Sequence, residues 1–246
     1  MKLESVRIPA EGATMLTGLR YVPEGGRIRP TALLYTHGFT SGKYSLDTLA
    51  GYLAGRGYPG LTFDLIGHKL GGTGGEMRHT VQAAENLQDA LTWVRGHLDV
   101  EQVVLVGHSM GGAASLQVAA WERLRPGNPP VVGVVSLCMG LEPATGFASK
   151  IGRAMLTQRH DYVAGAPALE LLHGLDALVL SAAEMGDLPA LFIAARQDVL
   201  IPVARVEALA ARAGANASAV ALDASHLDAP DRARAAIIQW LEEHSF

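Results

Sequence analysis

Three polar residues, far apart in the chain, are of the types that together turn an alcohol into a nucleophile. Ser109 lies in "GHSMGG" (107–112), after the apolar run "VVLV" and at the head of a segment with helical spacing. A serine hydroxyl attacks poorly until a base takes its proton, and the base needs a carboxylate to orient it. Asp198 in "FIAARQDVLIPV" and His226 in "ALDASHLDAP" supply both types, in the chain order Ser, Asp, His. Each of the three follows an apolar run that reads as a strand, so all three are expected at one sheet edge. The chemistry this predicts is acyl transfer through a covalent acyl-enzyme on Ser109. His226 would shuttle the proton and Asp198 would fix the imidazole.

The spacing around Ser109 supports that reading. Gly107 and Gly111 stand two residues to either side, making a G-x-S-x-G turn between strand and helix. Such an elbow strains the serine backbone, and the flanking positions must lack bulk for the chain to turn. The helix beginning there points backbone N–H groups and a positive dipole end at any developing oxyanion.

Other candidate chemistries lack support. Cys138 is the only cysteine, so an intramolecular disulfide is impossible, and its neighbours "VVGVVSLCMG" make it a core thiol. Histidines and acids occur without HxxxH or CxxC spacing, so no metal site is predicted. His37 and His108 read as bracing and packing residues, and His160 and His173 as exposed or structural. The cluster "GGTGG" (71–75) lacks the Lys-Ser/Thr ending of a phosphate-binding loop, and no GxGxxG follows the first core strand. No cofactor is therefore expected. The formal net charge of −4, with no Lys/Arg block, argues against nucleic acid as a partner. The opening residues lack a secretory apolar stretch and nowhere do 18 apolar residues run together, so a cytoplasmic protein without a membrane span is expected. The predicted partner is a small-molecule ester.

The elements that must position these residues follow from the apolar pattern. With 246 residues, 49% apolar and 18% charged, the chain suits one α/β domain over 1–246. An alternating pair, 3–9 and 14–22, precedes "TALLYTH", "GLTFDL", "QVVLVGH", "PVVGVVSLC", "PALFIAAR" and "SAVALDA". Eight strands alternate with helical segments, which predicts a mostly parallel sheet with helices on both faces. Ala84, Leu87, Leu91, Val94 and Leu98 mark one helix face. Val203, Val206, Leu209 and Ala213 mark another, and Ala233, Ala236, Ile237, Trp240 and Leu241 a third. Residues 140–188, after the sixth strand, are too long for an ordinary crossover and read as two or three inserted helices. Over the C-terminal sheet edge they would form a cap.

Taken together, these features resemble the α/β-hydrolase fold superfamily over nearly the whole chain, most closely its capped esterases of the monoglyceride-lipase and acyl-ester hydrolase type. "HGFT" (37–40) is similar to the family's oxyanion loop, which implies backbone N–H donors at Phe39 and at Met110, the residue after the nucleophile. "FDLIGHKLGGTGG" resembles the family's Asp-x-x-Gly-His stretch but has Lys69 where glycine is commoner, and no catalytic role follows for Asp64 or His68. The resemblance also allows Glu142, after the sixth strand, as an alternative triad acid. Phe39, Met139 and Tyr162 are candidate pocket residues. Ester hydrolysis is the leading activity. Thioester, lactone or carbon–carbon cleavage, acyl transfer, and a binding protein without catalysis are the alternatives the same residues permit.

Overall fold

The computed structural model describes residues 1–11, 14–26 and 28–246, apart from the side chain of His160. Its eight strands are β1 (Lys2–Pro9), β2 (Met15–Val22), β3 (Thr31–Thr36), β4 (Gly60–Phe63), β5 (Gln102–His108), β6 (Val131–Leu137), β7 (Ala190–Ala195) and β8 (Ala217–Leu222). They form one sheet in the order β1-β2-β4-β3-β5-β6-β7-β8. β1, β2 and β4 are paired antiparallel, and all later pairings are parallel. This is the eight-stranded, mostly parallel α/β architecture expected.

Side chains alternate between two cores because successive strand residues face opposite sides of the sheet. On β5, Val103 and Leu105 join one core, while Val104 and Val106 join the other. β3 and β7 divide in the same way. The first core is covered by α2 (Gln82–His97), α3 (Met110–Leu124) and α8 (Val203–Ala213); the second lies under α1 (Asp47–Ala54) and, near the C-terminus, α10 (Arg234–Glu243). The predicted α2 face is wholly buried. On the last helix Ile238 is buried as well, and Ala236 is only half-buried.

Departures from the sequence pattern have local causes. β4 stops at Phe63 because Asp64 turns its carboxylate to backbone N–H groups of Lys43 and Gly72. β8 is an edge strand with one partner, so its apolar Val220 stays 37% exposed. Between β6 and β7 lie four short helices, α4 (Pro143–Ala148), α5 (Lys150–Arg159), α6 (Ala168–His173) and α7 (Leu175–Leu180), with α9 (Ala229–Arg232) following β8. The expectation was two or three. Pro143 opens α4, and Gly174 separates α6 from α7. This insertion is tied to the loop after β4, since Lys69 donates to the Tyr162 carbonyl (2.9 Å), Ala164 to Gly67 (2.8 Å) and Met77 to Ala164 (2.8 Å). Among the described residues no helix is long and apolar enough to cross a membrane.

Candidate active site

The elbow forms where β5 meets α3. Ser109 adopts φ 54° and ψ −120°, a conformation costly for a residue with a Cβ, and is 4% exposed. Tight packing on both sides explains the glycines. A Cβ at Gly107 would come within 2.1 Å of the Gly111 carbonyl oxygen, and one at Gly111 within 2.1 Å of the Thr36 oxygen. β5 therefore runs into α3 with β3 pressed against the turn.

The loops after β7 and β8 bring Asp198 and His226 together. His226 Nδ1–H donates to Asp198 Oδ2 at 2.7 Å, and the pair is almost fully buried. Asp198 Oδ1 accepts the N–H groups of Leu200 (2.8 Å) and Ile201 (3.0 Å), which fixes the carboxylate. With Nδ1 holding the proton, Nε2 is left with its lone pair. The carboxylate of Asp228 accepts from Ser225 at both its N–H and hydroxyl, holding the turn that carries His226.

Two neighbours of the imidazole, packing residues by their sequence setting, touch the pair directly. His108 Nε2–H donates to the His226 carbonyl at 2.7 Å. Burial, reinforced by the nearby His226 ring, lowers the His108 pKa to about 3, so it is a neutral brace. Cys138 is fully buried beside Asp198; burial first, and that carboxylate second, drive its pKa up. His108, Cys138 and His226 bring ligand atoms within 4.8 Å of one another, the arrangement closest to a metal site among the described residues. Of their ring nitrogens, His108 Nε2 is already bonded to the His226 carbonyl and His226 Nδ1 to Asp198.

The oxyanion candidates lie across from the histidine. Met110 N–H is at the first turn of α3, where no intrahelical acceptor exists. Neither it nor Phe39 N–H has a protein acceptor among the described residues. The Phe39 loop is anchored at both ends. His37 donates Nδ1–H to the Gly38 carbonyl (2.8 Å) and accepts from Leu65 N–H at Nε2 (3.0 Å). At the far end Lys43 reaches the buried Asp64 through its N–H (2.7 Å) and Nζ (2.5 Å), while Thr17 Oγ1 donates at 2.7 Å. Burial alone would raise the Asp64 pKa, but these hydrogen bonds outweigh it and hold the carboxyl below its usual range. His68 packs edge-on against His37 and Phe39, and burial lowers its pKa to about 3.

Ser109 and His226 line one cavity of about 410 Å³ of empty space, its open mouth included. They are not hydrogen-bonded to each other here; contacts of this kind tighten when substrate binds. Phe39, Thr40, Phe147, Met155, Leu156, Arg159, Leu200 and Leu227 complete most of the wall. Of the three pocket candidates, only Phe39 is there. Met139 is fully buried in the core beneath α3, and Tyr162 is 38% exposed at the end of the short 3-10 turn that follows α5. Glu142 is turned to solvent against Arg205 (3.5 Å), with its carbonyl accepting from the same arginine, so it does not pair with His226. His173 is exposed; the His160 side chain lies outside the described residues. Sequence reasoning missed Thr40, Phe147, Arg159, Leu200 and Leu227 as wall residues. The roomier cleft around Trp121 and Arg125 opens at the other end of α3, about 20 Å from Ser109, and holds no nucleophile.

An elbow serine at the end of a central parallel strand, with an Asp–His pair on two later strand ends, defines the hydrolase class of α/β sheet. Residues 31–166, more than half of the chain, match the alpha/beta hydrolase fold family, and the protein belongs to it. Solved structures share the fold at low identity. The esterase Pf2001 of Pyrococcus furiosus is 18% identical, with a TM-score of 0.78 over 98% of this chain and 90% of its own. The α/β hydrolase GrgF of Penicillium sp. sh18 is also 18% identical, with a TM-score of 0.77 over 100% of both chains. Est1E of Butyrivibrio proteoclasticus, solved with ferulic acid bound, is 19% identical, with a TM-score of 0.76 over 97% of this chain and 98% of its own. A comparison with curated proteins returned no match.

Proposed function

We propose that the protein is a serine hydrolase that cleaves carboxylic esters with a small or medium apolar acyl or alcohol part, without a cofactor. The observation that carries this reading is the His226–Asp198 pair, which leaves Nε2 free in the wall of the cavity that also exposes Ser109. His226 Nε2 takes the Oγ proton as Oγ attacks the ester carbonyl carbon. The tetrahedral oxyanion is held by the N–H groups of Phe39 and Met110, each worth about 100 to 1,000-fold in rate. Collapse expels the alcohol, which leaves with the proton from Nε2. Water, deprotonated by His226, then releases the acid from the acyl-enzyme. Residues 140–188 serve as a cap on one α/β domain, with Phe147, Met155 and Leu156 forming the apolar side of the pocket. That the structural neighbour Pf2001 is named as an esterase agrees with this reading.

The test is a panel of p-nitrophenyl esters from acetate to palmitate, run beside a thioester and a lactone. The expected result is fastest turnover on short or medium acyl esters, with Ser109→Ala slower by about 10⁴-fold or more. A Ser109→Ala variant that keeps the wild-type rate overturns the proposal.

A further inference from the structure

The cavity wall carries one fixed charge, and apart from Thr40, Ser109 and His226 its other side chains are apolar. Phe39, Phe147, Met155, Leu156, Leu200 and Leu227 make it greasy, yet Arg159 also faces it, and no carboxylate lines it. Arg159 is half-buried, and among the described residues no acid comes within ion-pairing distance of its guanidinium and no hydrogen bond engages it. The chain treats its other partly buried arginines differently. Arg95 is bound to Glu122 (2.5 Å), Arg20 to Glu4 (3.3 Å), Arg29 to Glu242 (3.8 Å) and Arg205 to Glu142 (3.5 Å), while Arg234, which has no acid, donates to the Asp231 carbonyl (2.7 Å) and lies over the Tyr52 ring. A guanidinium against apolar side chains is costly unless an anion meets it. Its place at the last residue of α5 lets it face the negative end of the helix dipole, but that is worth about 0.3–1 kcal/mol and gives its five donors no side-chain or backbone acceptor among the described residues.

Nor does Arg159 hang from a loose end. α5 is seated at its start, where Gly152 packs so closely on α4 that a Cβ would fall 2.5 Å from the Gly146 and Phe147 oxygens. Beyond α5, the hydrogen bonds of residues 162–166 to residues 67–77 fix the chain again. The charge is thus presented to the cavity from a pinned helix.

We infer that Arg159 receives a carboxylate on the substrate, so the preferred substrates are esters whose apolar arm ends in a free carboxylate, such as half-esters of dicarboxylic acids. This rests on the serine hydrolase reading above. A planar guanidinium matches a carboxylate through two parallel N–H···O bonds, and apolar surroundings strengthen them. The apolar wall then takes the chain between ester and anion.

The experiment compares ethyl half-esters of adipic acid with diethyl adipate and with a phosphate-ended analogue of equal length, by pH-stat. The unmodified protein is expected to favour the carboxylate-ended ester over the neutral one by about tenfold in kcat/KM, mostly through KM, and rising salt should shrink the ratio. Arg159→Gln should bring the ratio near one, and Arg159→Lys should keep part of it. A ratio near one in the unmodified protein overturns the inference even if a variant fails to fold, as does a ratio unchanged in Arg159→Gln. Preference for the phosphate-ended compound overturns the carboxylate assignment. If the neutral ester is cleaved in a Ser109-dependent way without anion preference, only this inference falls. If no ester is cleaved, the hydrolase reading falls and takes this one with it.

Discussion

His108 and His226 lie with ring centroids 5.0 Å apart, and what each ring nitrogen touches separates a brace from the proposed base. His226 gives Nδ1–H to a carboxylate and keeps Nε2 open to the cavity, whereas His108 spends Nε2–H on a backbone carbonyl inside the core. The residues of the proposed triad were legible in the sequence because each follows an apolar strand run. The role of His108 was not, since a contact to a backbone atom 118 residues away leaves no local pattern. A pH dependence of stability follows at this scale. His108 and His68 both have folded pKa values near 3, below the usual histidine value of 6.5. Between those values the unfolded chain binds protons that the folded one excludes, so stability is greatest above about pH 7 and falls as pH drops. Each histidine is expected to cost about 2 kcal/mol between pH 6.5 and pH 5. Urea unfolding at pH 7 and pH 5 checks this, and equal unfolding free energies would contradict it.

At the scale of elements, the strand-to-helix turn at β5–α3 depends on backbone contact more than on side-chain packing. The Thr36 oxygen belongs to a β3 strand locked between β4 and β5, so it cannot move aside for a new methyl group. Gly111→Ala is therefore expected to lower stability by about 3 kcal/mol or more and to abolish ester turnover. Thermal unfolding and the ester assay read both effects, and a variant with unchanged Tm and rate would show that the turn tolerates bulk. Continuous apolar runs along β3, β5 and β7 made the sheet readable, because those strands are buried on both faces. The early end of β4 was not readable, because it is decided by where Asp64 finds its donors. The break of the insertion into four helices was also hidden, since the apolar spacing runs from Leu169 through Leu180 while Gly174 divides it.

Across the whole molecule, four distant segments meet at the C-terminal edge of the sheet: the Phe39 loop, the elbow, and the loops bearing Asp198 and His226. The strand-end rule places these from sequence alone. The cavity wall is another matter, because Phe147, Arg159 and Leu200 reach it through the packing of the insertion on the sheet, which no periodicity encodes. Met139 shows the converse: just past β6, it continues into the core beneath α3 instead of facing the cavity. The central claim is that this convergence activates one hydroxyl. Reaction with a fluorophosphonate, followed by peptide mass spectrometry, tests it most directly, because Oγ must displace fluoride to form an Oγ–P bond. The account predicts one adduct, on Ser109, absent in Ser109→Ala and formed at least about tenfold more slowly in Asp198→Asn. Folded protein that stays unlabelled, or an adduct on another residue, would contradict it.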